Sequence, residues 1–173
     1  MDLALFVLRI VVGLLFVGHG AQKLFGIWGG GGLEGTADMF DSIGLQPASL
    51  HARVAAVSEF GGGALLVLGL LTPVAAAALI AVMTAAVLSV HGPNGIWNTN
   101  KGYEYNLVLA AAVFALAGAG AGSWSLDSAF NLELSGAGWA LAALVVGLLG
   151  GIGAVHGGRY SGSVSTRDPH PIR

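Results

Sequence analysis

Apolar residues fill this chain in long runs separated by short polar breaks. The first run, Leu3–Phe25, is interrupted by Arg9 and is long enough to cross a hydrocarbon core of ~30 Å, which takes about 20 helical residues. Residues 26–51 break the pattern. Within them Gly29–Gly32 forms a hinge, and Thr36–Ile43 sets Met39, Phe40 and Ile43 at helical spacing beside Asp38 and Asp41. That spacing predicts a short helix lying in the membrane interface. A second span, Ala52–Leu71, turns at Thr72-Pro73 into a third, Val74–Val90, which His91-Gly92-Pro93-Asn94-Gly95 closes with a turn signature. A polar loop with the belt aromatics Trp97, Tyr103 and Tyr105 leads into a short fourth span, Leu107–Ala119. The loop Gly120–Gly136 contains Ser125-Leu126-Asp127 and precedes a fifth span, Ala137–Val155. Residues 157–173 form a polar tail with no core of its own. The fold class is therefore all-α, an integral membrane helical bundle.

Composition agrees with that pattern. The chain of 173 residues is 55% hydrophobic and 9% charged, with a mean hydropathy of +0.78, against roughly 25% charged residues in a soluble domain. A formal net charge of −2 and scattered basic residues leave no patch for nucleic acid. The absence of cysteine excludes thiol exchange, iron–sulfur clusters and thiolate metal sites. Asp2 and the length of the first run speak against a cleaved leader and for an uncleaved first helix. Outside the spans Lys23, Arg53, Lys101, Arg159, Arg167 and Arg173 all fall on one side. The positive-inside rule makes that side cytoplasmic, with the N-terminus outside and the C-terminus inside.

Glu59 is the most informative residue, a carboxylate inside an apolar helix followed by Gly61-Gly62-Gly63. An ionisable group in hydrocarbon costs at least ~2.5–3.5 kcal/mol on insertion scales, so it faces a bundle interior, paired or functional. The glycines predict close approach of a neighbouring backbone or ligand. Span parity brings the end of the first span, the start of the second, the end of the third and the start of the fourth to one membrane face. His19, Lys23, Glu59, His91, Tyr103 and Glu104 thus share one mouth, with Glu59 roughly 9 Å below the surface at ~1.5 Å per residue past Arg53. Asp2, Asp127 and Glu133 belong to the opposite face.

These residues also carry a resemblance. His19-Gly20-Ala21-Gln22-Lys23-Leu24-Phe25-Gly26, Glu59-Phe60-Gly61-Gly62, Leu68–Pro73, His91–Gly95, Gly102-Tyr103-Glu104-Tyr105 and Ser125-Leu126-Asp127, in that order, resemble the DoxX family of small bacterial membrane proteins. The resemblance covers about residues 3–127. It implies a four-helix membrane bundle in the bacterial plasma membrane, with some relatives serving as quinone-reactive subunits of thiosulfate:quinone oxidoreductase and others joining assemblies with soluble redox proteins. The chain departs from it by the fifth span. Residues 1–136 are thus a DoxX-like bundle, 137–156 a fifth transmembrane helix and 157–173 a tail.

Each candidate residue keeps two readings at this stage. Glu59 is either a structural carboxylate, neutral or paired with Arg9, or the proton acceptor beside a quinone headgroup, because quinone reduction consumes protons. Arg9 either makes that pair or snorkels to the nearer interface. His19 and His91 are quinone hydrogen-bond partners, acting with Glu59 as the catalytic candidates, or they bond freed carbonyls at helix ends. They lack the local spacing of a metal or haem site. Lys23 is an interfacial anchor or an anion clamp, and Tyr103 is a belt residue or, with Glu104, part of the cofactor-binding mouth. The leading expectation is a membrane subunit of an oxidoreductase or respiratory assembly that takes a quinone and receives electrons from a redox partner. A non-catalytic accessory subunit is the alternative, and a small-solute carrier is disfavoured by the lack of an inverted repeat. Ala143, Gly147 and Gly151 form a small-residue face expected to dock residues 137–173 on another subunit or a second copy.

Overall fold

The computed structural model describes residues 1–165. Those residues form α1 (Asp2–Phe25), α2 (Gly32–Ser42), α3 (Ala48–Leu68), α4 (Thr72–Ala86), α5 (Glu104–Ala119), the single turn α6 (Leu126–Ala129) and α7 (Ala137–Ser165). The C-terminal end of α4 continues as a π-helical turn, Val87–His91, and a 3₁₀ turn, Gly92–Asn94. Three helices are long and apolar enough to cross a membrane: α1, α4 with its extension, and α7 to Arg159. α3 has 21 residues, which rise about 32 Å, and α5 is a shorter apolar helix. The expected helical membrane bundle is what forms.

Local sequence explains the boundaries. α1 stops at Gly26 and α3 at Gly69, both in the left-handed conformation that caps a helix without a Cβ clash. Pro73 opens α4, where its missing N–H costs nothing. The expected interfacial helix begins earlier than its apolar spacing suggested, because Gly32 of the glycine quartet already starts α2. The expected polar tail is partly helix. α7 runs through His156-Gly157-Gly158-Arg159 to Ser165, and the rest of the tail lies outside the described residues.

α1 and α3 pack antiparallel through interlocked glycines. A Cβ on Gly63 would stand 2.7 Å from the Gly13 carbonyl and 2.7 Å from the Val17 amide, and one on Gly20 would run into the Phe60 backbone. A Cβ on Gly62 would stand 3.0 Å from the Leu79 side chain of α4 instead, while Gly61 faces open space. Two of the three glycines therefore serve two different helix contacts. The core between α1, α3, α4 and α5 is filled by Phe16, Leu66, Leu79, Val113 and Leu116, all fully buried.

The small-residue face of α7, on which the docking of residues 137–173 was expected to rest, is packed inside the chain: Ala143 is buried, Gly147 lies against Ile80 and the Ala77 carbonyl, and Gly151 lies against Thr84 and the Ala81 carbonyl of α4. At its C-terminal end α7 is tied to the turn between α2 and α3, where the Gln46 amide donates to the Gly158 carbonyl at 3.1 Å. The physical reason is register. α4 offers Ala77 and Ala81 where α7 offers Gly147 and Gly151, so each helix supplies the close approach the other needs.

Candidate functional site

The mouth forms as parity predicts, with a different ion pair at its floor. Lys23 donates to the Glu59 carboxylate in a bridge between α1 and α3, Glu59 being buried and Lys23 about a quarter exposed (24%). The antiparallel glycine interlock fixes this partner, since it places Gly20 beside Phe60 and hence Lys23 one turn further out beside Glu59. Arg9, the other partner considered, is fourteen positions earlier on α1, roughly 21 Å away at ~1.5 Å per residue.

Arg9 neither pairs with Glu59 nor snorkels. It is buried at the opposite face, where Nη1 and Nη2 donate at 2.6 Å to the carbonyls of Ala121 and Trp124. The guanidinium lies over the Phe6 ring at 5.6 Å and against Gly69, whose lack of a side chain makes the space. Asp127 is part of the same lock. It accepts the Leu71 and Thr72 amides at 2.7 and 3.1 Å and the Thr72 hydroxyl at 2.7 Å, capping the start of α4. Leu68–Pro73 and Ser125-Leu126-Asp127 are therefore structural blocks that hold the face opposite the mouth shut.

Two cavities meet at the Lys23–Glu59 pair. The smaller, of about 180 Å³, is the more polar of the two and is lined by His19, Lys23, Glu59, His91, Tyr105 and Asn106 among others. The larger, of about 500 Å³, runs from Lys23, Glu59 and His91 between α3, α4 and α7 beneath Met39 and Phe40 of α2. His19 stands edge-on to Tyr105 with centroids 6.3 Å apart. His91 Nδ1 lies 2.9 Å from the Lys101 carbonyl, which can only accept, so the ring donates there and Nε2 is left for another partner. The π-turn sets this up: the Gly92 amide bonds back to the Val87 carbonyl, and a Cβ on Gly92 would stand 2.7 Å from that oxygen. π-turns inside α-helices are frequent at functional sites.

The structure does not bring every candidate into the cavities. Glu104 accepts the Asn98 amide at 3.0 Å and so braces the loop, and neither it nor Tyr103 lines the cavities. Their place is taken by Tyr105, which lines the smaller cavity while 40% exposed, and by Asn106. Asn106 is buried and its amide nitrogen stands 3.4 Å from the Met83 sulfur. A polar residue heading an apolar helix was the available signal for Asn106. Among the described residues no three His, Asp or Glu side chains stand close enough to hold a metal ion.

Comparison with known proteins supplies the family. The DoxX family profile matches residues 4–92, a segment that includes α1, α2, α3 and most of α4 with its extension. An uncharacterised membrane protein of Mycobacterium tuberculosis is 31% identical over 131 residues, covering 69% of this chain and 77% of the relative. CatD of Bacillus subtilis, provisionally named an oxidoreductase, is 31% identical over 117 residues, covering 68% and 81%. The inner membrane protein YphA of Escherichia coli is 32% identical over 133 residues, covering 71% and 87%. No solved structure matches significantly. With the helical membrane architecture, the glycine-locked α1–α3 pair and these matches together, the chain belongs to the DoxX family.

Proposed function

We propose that this protein is the quinone-binding membrane subunit of an oxidoreductase assembly, with the ring held in the polar cavity at the Lys23–Glu59 pair. The observation that carries the reading is that pair itself, buried between two helices yet lining a cavity beside His19, His91, Tyr105 and Asn106. An ion pair that served packing alone would gain nothing from a cavity on one side. The Lys23 ammonium donates to a quinone carbonyl oxygen and gives it one proton as the ring is reduced, Glu59 holds Lys23 in place and exchanges protons with it, and His91, protonated at Nε2 from the mouth, gives the second. Conversion of a quinone to its quinol takes two electrons and two protons. The electrons come from a redox-protein partner, and the chain supplies the protons through the mouth.

The name of CatD supports the oxidoreductase setting. The accessory-subunit reading packs the chain on a larger complex through its glycine and alanine faces, and of these the α7 face is taken up by α4 within the chain. Lys23, Arg53, Lys101 and Arg159 gather at the mouth end, where Arg159 also donates to the Leu88 carbonyl at 3.3 Å. By the positive-inside rule that end is cytoplasmic, the side from which protons and a soluble donor reach the ring.

Glu59→Gln tests the reading. Membranes carrying the variant in place of the parent are expected to keep the protein at parental abundance and to lose most quinone-dependent electron flux through its assembly. Purified in nanodiscs, the variant should bind menadione about tenfold more weakly, a difference of ~1.4 kcal/mol. Unchanged flux together with unchanged menadione binding would refute it.

A further inference from the structure

The larger cavity extends well beyond what a ring in the smaller one would fill. It is lined mainly by aliphatic and small residues, among them Val54, Ala81, Ala85, Gly150 and Ala154, and its 500 Å³ lies within the ~300–1,000 Å³ of small-molecule sites. Within a bilayer such a space between helices is filled by an apolar chain, since neither water nor a polar solute gains by entering. The fold holds it open. α7 is drawn tightly onto α4 at Gly147 and Gly151 and fastened at Gly158 beside His51 and Leu45, but it meets α3 only sparingly, leaving a slot between them. Val54 on one lip is 54% exposed and Val90 on another is 38% exposed, so the slot opens sideways.

The polar end selects the occupant. Lys23, Glu59, Ala86 and His91 line both cavities, so a molecule whose head sits in one extends its tail into the other. A phospholipid would bring an anionic phosphate to this junction. The Lys23 charge there is already balanced by Glu59, so the junction offers no net positive charge to a phosphate, whereas a neutral ring with carbonyl acceptors needs none.

We infer that the slot between α3, α4 and α7 holds the isoprenoid tail of a membrane quinone, and that α7 makes the protein selective for tail-bearing quinones. This rests on the proposed ring site and adds to it a second subsite and a role for the fifth helix. Gly150 and Ala154 are the selecting positions. A larger side chain at either fills the slot without reaching the polar cavity. A Cβ on Gly150 makes only ordinary contact, 3.5 Å from the Ala81 Cβ.

The test uses the full chain in nanodiscs and two probes, a naphthoquinone with a short isoprenoid tail and its tail-less counterpart, menadione. Ala154→Phe and the gentler Gly150→Leu should each weaken the tailed quinone by about tenfold or more, with menadione affinity and thermal unfolding midpoint unchanged. If both variants bind both quinones as the parent does, the tail subsite is overturned and the ring site stands. If native mass spectrometry finds a phospholipid on the parent that Ala154→Phe releases, the slot belongs to lipid and the inference is wrong. Failure of the parent to bind menadione would overturn the ring site and this inference together.

Discussion

At the scale of single residues, the two charges inside the bundle have opposite fates because their neighbours differ. Arg9 is spent on two carbonyls of the loop after α5, and it closes the face opposite the mouth. Glu59 is spent on Lys23, at the wall of a cavity. The two members of that pair are unequally buried, and a prediction follows from the inequality. Lys23→Met leaves a buried carboxylate with no counter-charge, whereas Glu59→Gln leaves a quarter-exposed ammonium that can extend toward the surface. Lys23→Met should therefore cost about 3 kcal/mol and Glu59→Gln clearly less, with the double variant Lys23→Met/Glu59→Gln recovering much of the loss. Denaturant unfolding in a mild detergent measures all three. Equal and additive losses would mean that the pair carries no coupling.

At the scale of elements, the glycine triplet shows how one stretch of α3 serves two neighbours. Gly63 admits α1, with the Gly13 carbonyl 2.7 Å from where its Cβ would be, and Gly62 admits Leu79 of α4. Gly61 faces open space. Gly63→Ala should force α1 and α3 apart, lower the unfolding midpoint and shift Lys23 away from Glu59. Gly61→Ala should be neutral or stabilising by up to about 1 kcal/mol through helix propensity. Thermal unfolding in nanodiscs reads the contrast, and a Gly63→Ala protein as stable as Gly61→Ala would show that the α1–α3 contact is looser than drawn. Glycine identity alone did not separate these positions. Their roles follow from which helix lies opposite, and that is a long-range fact.

For the whole molecule, α7 belongs to the bundle it follows. It covers Ile80, Ala81 and Thr84 of α4, is fastened to the α2–α3 turn at Gly158, and walls the tail slot. Removing residues 137–173 should therefore destabilise the remaining helices, with a lower unfolding midpoint and a lower membrane yield. A truncated chain that unfolds like the parent would return α7 to the role of a docking element for another subunit. Helix–helix contacts in a bilayer gain little from leaving lipid, so the closeness of the glycine and alanine contacts is what holds α7 in place.

The division of labour between sequence and tertiary structure is physical. The long apolar helices, the short helix between the first two spans, the turn at Thr72-Pro73 and the gathering of His19, Lys23, Glu59 and His91 at one mouth were legible. They depend on hydropathy, on local turn chemistry and on the parity of crossings, each of which is written along the chain. The partner of Glu59, the burial of Arg9 and the contact that covers α7 were not legible, because each depends on the sliding register between two helices. That register is set by which glycine faces which backbone, as Gly20 does Phe60 and Gly147 does Ile80. Likewise the aim of His91 comes from a π-turn that no hydrophobic period reveals. Periodicity tells a helix which side is apolar, but only the packed neighbour decides which charge it meets at which depth.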